Sequence, residues 1–284
     1  MDSRTIGNVK VSAIGLGAMP MSVEGRPDED RSLRTIHQAL DLGITLIDTA
    51  DAYGLGGDEV GHNERLIAKG LATWSGDSAE VVVATKGGHT RGSGGGWGLN
   101  GTPEYIKRAC EASLKALGVE AIGLYQYHRP DPNVPYAETV GAFKELQDEG
   151  KVRMVGLSNA NIEQIEESRR VVDIVSVQNE FSPRFRSSAD ELDHCAREGI
   201  AFLPWSPLGG MGSAADLGSE HSVFAEVAEA HGVSPQQVAI AWELAKAEVV
   251  IPIPGSSRPE TITDSAQAIE LKLDPEELRK LDAG

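Results

Sequence analysis

Asp48 and Tyr53 stand five positions apart in Ile47-Asp48-Thr49-Ala50-Asp51-Ala52-Tyr53-Gly54, just after the apolar run that begins at Ile44. Partners on a helix face are three or four residues apart, so this pair belongs at the end of a strand instead. Lys86 ends the run Val81-Val82-Val83-Ala84-Thr85, and His128 ends the run from Ile122. A phenol has a pKa near 10 and is a poor acid at neutral pH. An ammonium beside it favours phenolate and lowers that value, while a carboxylate holds the ammonium charged and oriented. Tyr53 would then donate a proton to a carbonyl oxygen as it gains charge, a contribution of about 10² to 10⁴ in rate. His128 would fix the same oxygen and stabilise its developing charge. Asp48, Tyr53, Lys86 and His128 thus form machinery for reducing C=O that lacks only a hydride donor. Asp51, between the first two, reads as a loop residue.

The elements that must bring these groups together are regular. After an N-terminal hairpin over Thr5-Ile6-Gly7-Asn8-Val9-Lys10-Val11, short apolar runs span Ala13–Ala18, Thr45–Ala50, Val81–Lys86, Ile122–His128, Val152–Ser158, Ile174–Glu180, Ile200–Ser206 and Val249–Gly255. Stretches of helical period separate them, with start signals at Thr102-Pro103-Glu104 and Ser234-Pro235-Gln236-Gln237. Strands alternating with helices imply a parallel sheet, and eight such units predict an α/β fold of the (β/α)₈ barrel type, one domain over residues 1–284. The Gly-rich piece Gly92–Gly101 reads as a mobile loop after the third run. Asp48, Lys86, His128, Ser158, Gln178 and Ser206 all fall at or near the C-terminal ends of their runs, which is the active-site face of such a barrel.

Composition narrows the partners. Asp and Glu number 43 against 26 Lys and Arg, for a formal charge of −17. A field of that sign repels nucleic acid and anionic membrane, and any anionic ligand must rely on a local cluster of donors. Residues 1–4 carry no apolar signal core, and no run reaches the roughly 18 apolar residues of a membrane helix. Cys110 and Cys195 fall on apolar helical stripes and read as small core residues in a reducing cytoplasm.

Other chemistries use some of the same residues. A strand-end lysine also serves Schiff-base aldolases, so Lys86 alone fits that reading. A metal-dependent hydrolase is poorly supported, because no His-x-His pair exists and the first run ends Gly15-Leu16-Gly17-Ala18 with no ligand. His37, His62, His89, His194, His221 and His231 show no metal spacing and read as surface or loop residues. Gly96-Trp97-Gly98-Leu99-Asn100-Gly101 matches GxGxxG, but no strand directly precedes it, and it is rejected as a dinucleotide site.

Over nearly its whole length the chain resembles the aldo-keto reductases. The resemblance rests on Gly15-Leu16-Gly17, Asp48-Thr49-Ala50 with Tyr53, Ala84-Thr85-Lys86 and Tyr127-His128-Arg129-Pro130. It continues through Gly156-Leu157-Ser158-Asn159, Gln178-Asn179-Glu180, Trp205-Ser206-Pro207-Leu208-Gly209 and Ile253-Pro254-Gly255-Ser256. The family's catalytic tetrad falls on Asp48, Tyr53, Lys86 and His128. The branch it looks most like contains bacterial and plant pyridoxal-type and ketone reductases.

The resemblance also implies a cofactor site across the other half of the mouth. Ser158, Asn159 and Gln178 resemble carboxamide-binding residues, and Trp205 takes the position that stacks on nicotinamide. Ser206, Leu208 and Gly209 match residues around the pyrophosphate. Gly255, Ser256 and Arg258 open the final helix with backbone N–H groups and a guanidinium suited to an adenosine phosphate. Family members often carry a basic residue where Thr261 stands and Asn where Ser265 stands; Arg258 compensates, so NADPH is expected over NADH. A small carbonyl compound is the implied substrate, with Met19, Met21 and Trp97 as candidates for an apolar pocket. A cofactor-binding regulatory barrel with little turnover is the alternative.

Overall fold

In a computed structural model describing residues 1–284, seven parallel strands follow one another in sequence order around a curled sheet. Two antiparallel strands come first, β1 (Ser3–Ile6) and β2 (Val9–Ser12), with Ile6 opposite Val9 across the turn. The parallel series is β3 (Leu16–Gly17), β4 (Leu46–Asp48), β5 (Val82–Gly87), β8 (Ile122–Tyr127), β9 (Val152–Ser158), β10 (Ile174–Gln178) and β11 (Ala201–Phe202). A small antiparallel pair, β6 (His89–Arg91) and β7 (Trp97–Leu99), interrupts it after β5. The helices between and after the strands are α1 (Glu29–Asp41), α2 (His62–Thr73), α3 (Pro103–Leu117), α4 (Tyr136–Asp148), α5 (Ile162–Arg169) and α6 (Ala189–Glu198). They continue with α7 (Leu217–Glu220), α8 (Ser222–His231), α9 (Pro235–Leu244), α10 (Pro259–Gln267) and α11 (Pro275–Ala283).

Local chemistry explains the helix starts. Thr102 accepts from the Tyr105 backbone N–H and Ser234 from that of Gln237, each before a proline whose missing N–H costs nothing in a first turn. Asn161 and Asp274 form reciprocal capping boxes with Gln164 and Glu277. Strands buried on both faces are near-continuously apolar, as parallel sheets require. Their inward side chains, among them Leu46, Val82, Ala84, Leu124, Met154 and Ile253, share one apolar cluster with Ile6 and Val11 of the N-terminal pair. That pair therefore closes the end opposite the site.

The run Val249–Gly255 is not a regular strand. Its Ile251 and Ile253 N–H groups donate to Phe202 and Pro204, while Pro252 and Pro254 carbonyls accept from Gly15 and Gly17. Isolated bridges join Phe202 to Val250 and Gly17 to Gly255. The two prolines face β3 and have no N–H to return, so half of that ladder is missing. Gly17 fits here because a Cβ would lie 2.7 Å from the Ile253 carbonyl oxygen.

Gly92–Gly101 also departs from the expectation of a loop. Trp97 and Leu99 pair with Arg91 and His89, and Gly88, at φ +105°, makes the left-handed step out of β5 that a side chain would oppose. Trp97 stacks on His89 at 4.5 Å between ring centroids, and the Arg91 guanidinium lies 4.0 Å from the Trp97 ring centroid. This pair of contacts holds the hairpin together. No helix is long and apolar enough to cross a membrane.

Candidate active site

Three adjacent strands, β4, β5 and β8, end side by side, and their ends carry the tetrad. Lys86 is fully buried. Its Nζ donates to Asp48 Oδ1 at 2.6 Å, to the Thr49 carbonyl at 2.8 Å and to Tyr53 Oη at 3.2 Å. An ammonium has three donors, and all three are used. Burial alone pushes Lys86 toward neutrality, but the Asp48 carboxylate and the hydrogen bonds to Asp48 and Tyr53 outweigh it, so its pKa is raised and the ammonium persists. Asp48 is held from its other side by Gln178 Nε2 at 2.7 Å and Gln126 Nε2 at 3.3 Å.

Tyr53 corrects one expectation. Burial raises its pKa, and this outweighs the lowering by Lys86, so the phenol is pushed up rather than down. It therefore stays protonated, with Lys86 donating to its oxygen and its own proton left for another acceptor. His128 lies beside it with ring centroids 5.7 Å apart, edge to face. Burial, then the positive charges of Lys86 and Arg129, push His128 well below the ordinary histidine value. The imidazole is thus neutral, and its Nδ1 is buried without a partner.

Asp51 is not a simple loop residue. It is 2 % exposed, one carboxylate oxygen has no partner, and burial beside Glu64 raises its pKa well above the carboxylate range. Its backbone ties the loop down, donating to the Lys86 carbonyl and accepting from Gly61.

A cavity of about 640 Å³ opens over the tetrad, within the range of small-molecule and cofactor sites. Asp48, Tyr53 and His128 line it together with Ser158, Asn159, Gln178, Trp205, Ser206, Leu208 and Gly255. Gly209, Ser256 and Arg258 do not line it; Ser256 lies buried one residue beyond Gly255, and Arg258 is exposed at the start of α10. Gln178 spends an amide hydrogen on Asp48, so it joins the two halves of the site. Asn159 and Ser206 hold left-handed backbone at φ 56° and 52°, a strained conformation for residues other than glycine and one that clusters at ligand sites. Trp205 Nε1 and Ser256 Oγ are buried with no partner. Together with the left-handed backbone, the orphaned Trp205 Nε1 on the cavity wall fits a polar cofactor at this mouth.

The rim holds residues that sequence reasoning passed over. His89, expected at the surface, lines the cavity and sits edge to face with His128 at 4.9 Å. Arg129 also lines it, with Pro20, Met211 and Ala214. Met19 and Trp97 reach the cavity as expected, whereas Met21 is buried in the core between α1 and the strands. The missed residues come from loops and a hairpin whose closure over the sheet leaves no periodic signal.

Residues 13–283 match the sequence model of the aldo/keto reductase family. In this curved α/β structure a strand-end carboxylate and a phenol, both tied to the buried Lys86, face a cofactor-sized cavity, an arrangement suited to an oxidoreductase. The chain belongs to the aldo/keto reductase family and is an NAD(P)H-dependent oxidoreductase. It is 34% identical over 281 residues to an uncharacterized oxidoreductase of Schizosaccharomyces pombe, covering 98% of this chain and 88% of the relative. Among solved structures it is similar to a glycerol dehydrogenase from Gluconobacter oxydans, with TM-score 0.86, 27% identity and coverage of 99% and 94%. It is also similar to an aldo/keto reductase from Klebsiella pneumoniae in complex with NADP and acetate, with TM-score 0.79, 27% identity and coverage of 96% and 91%.

Proposed function

We propose that the protein reduces an aldehyde or ketone to the alcohol with NADPH, and that Tyr53 is the proton donor. The reading takes residues 1–284 as one closed (β/α)₈ barrel in which Val249–Gly255 serves as the eighth stave. The observation that carries it is the buried junction of Lys86 with Asp48 and Tyr53, at 2.6 and 3.2 Å.

Bound NADPH supplies the hydride. Trp205, Ser158, Asn159 and Gln178 would hold the nicotinamide end, Ser206, Leu208 and Gly209 the pyrophosphate, and Gly255, Ser256 and Arg258 the adenosine end. Tyr53 and neutral His128 hydrogen-bond the substrate oxygen, and Tyr53 releases its proton as charge develops there. Lys86 lowers the cost of the phenolate left behind, and Asp48 keeps Lys86 charged and aimed. Because Lys86 is held as an ammonium, it lacks the free amine that a Schiff-base aldolase needs. With Tyr53 raised and His128 lowered, reduction should show no limb near the ordinary histidine value of 6.5 and should fall only as Tyr53 ionises at alkaline pH.

NADPH preference is supported by Arg258 and by the unpartnered Ser256 Oγ, with Thr261 and Ser265 nearby adding no charge. The test is NADPH oxidation across aromatic aldehydes, diketones, pyridoxal and sugars, repeated with NADH. Turnover with kcat/KM favouring NADPH is expected. A preference for NADH would contradict the cofactor reading, and tight NADPH binding without oxidation would favour a regulatory barrel.

A further inference from the structure

One cation on the cavity wall is not neutralised by any other group of the chain. Arg129 follows His128 directly after β8 and is the only Lys or Arg in the cavity lining. Its guanidinium lies 5.8 Å from the Trp205 ring centroid, and it enters no ion pair or hydrogen bond. Arg91, on the neighbouring hairpin, is the contrast. It pairs with Glu24, donates to the Gly54 carbonyl and packs on Trp97, so its donors are committed to structure.

The available carboxylates do not serve Arg129. Asp48, in the same cavity, is occupied by Lys86, Gln126 and Gln178. Glu180 feels the Arg129 charge but forms no ion pair with it and does not line the cavity. A half-buried guanidinium offers five donors in a fixed fork, and no side chain or carbonyl of this protein takes any of them. Its place beside Tyr53 and His128 is felt electrostatically by both. In a chain of formal charge −17, this local cation is what an anionic ligand would meet.

We propose that Arg129 anchors an oxyanion, a carboxylate or a phosphate, carried by the carbonyl substrate itself, so that the enzyme prefers anionic aldehydes or ketones over neutral ones. The inference rests on carbonyl reduction at Tyr53. Two oxygens of the oxyanion would take the guanidinium fork while the carbonyl meets Tyr53 and His128, two attachments that fix the reacting carbon in one orientation.

The test compares wild type with Arg129→Gln on two pairs of substrates, 4-carboxybenzaldehyde against 4-methylbenzaldehyde, and glyceraldehyde 3-phosphate against glyceraldehyde. Wild type is expected to favour the charged member of at least one pair, and which pair responds separates carboxylate from phosphate. A charge-assisted pair corresponds to roughly 10- to 100-fold, so the variant should lose that much through KM for the charged substrate. Its KM for the neutral substrate and its Kd for NADPH should stay within about twofold. No charge preference in wild type, an equal loss on neutral substrates, or weakened NADPH binding would each overturn the proposal, the last by making Arg129 a cofactor residue. If neither protein reduces any of the four, carbonyl reduction itself fails. Arg129 is then decided by tryptophan-fluorescence titration of the NADP⁺-bound protein with 4-(hydroxymethyl)benzoate against 4-methylbenzyl alcohol. Tighter binding of the anion that Arg129→Gln abolishes supports the anchor, and binding indifferent to the substitution rejects it.

Discussion

The floor of the site and its rim are built differently. On the floor, Lys86, Asp48, Tyr53, Gln126 and Gln178 come from strand ends or the loop just after one, are buried, and are tied by five side-chain hydrogen bonds counting the one to Thr49. At the rim, Trp97 is 45 % exposed and Arg129 has no partner in the chain. The difference separates two tasks. A reacting proton needs one fixed geometry, which close packing and saturated donors supply. Recognition of a substrate needs unsatisfied groups on loops, which the rigid floor positions but does not constrain.

Replacing Asp48 breaks the floor most severely. Asp48→Ala leaves the Lys86 ammonium buried without its counter-charge, and removing one member of a buried pair costs about 3–5 kcal/mol. Urea unfolding should report that loss, and NADPH oxidation should be nearly abolished. Stability close to wild type would mean that the Thr49 carbonyl and Tyr53 alone suffice for Lys86.

Asp51 should respond with the opposite sign. Its folded pKa is raised, so its contribution to stability is complete below the ordinary value of 3.8 and is lost as pH rises through the folded value. Asp51→Asn removes that loss. The variant should therefore be more stable than wild type at neutral pH, by about 1–3 kcal/mol, with the gap closing toward acid. Thermal melts at several pH values measure it, and a gap independent of pH would count against a buried carboxyl.

These two neighbours also mark how far the sequence could be read. The strand-end registry of Asp48, Lys86 and His128, the capped starts of α3 and α9, and the parallel order were legible because period and position alone carry them. The burial of Asp51 was not, since its two oxygens and its neighbour Glu64 meet only once α2 packs behind β5. The missing ladder at Val249–Gly255 was foreshadowed by Pro252 and Pro254, whose alternate spacing turns both toward β3. The sign of the Tyr53 shift escaped for a third reason. Residue types suggested the attraction of Lys86, but only packing reveals that burial outweighs it.

The smallest expected effect is at the rim. Trp97→Ala removes a half-exposed ring that stacks on His89 and covers the buried Arg91, so stability should fall by about 1 kcal/mol. Loss of one aromatic contact should raise KM by about 2- to 10-fold while kcat stays near wild type. A collapse of kcat would mean that the hairpin helps assemble the floor, and the division between the two regions would not hold.

The most direct measurement is single-turnover oxidation of bound NADPH by Tyr53→Phe, alongside the Kd for NADPH from fluorescence titration. The substitution removes one oxygen and leaves the ring in its packing. The predicted result is a fall of about 10² to 10⁴ in the rate of carbonyl reduction with cofactor affinity unchanged. Turnover at the wild-type rate would contradict Tyr53 as the proton donor.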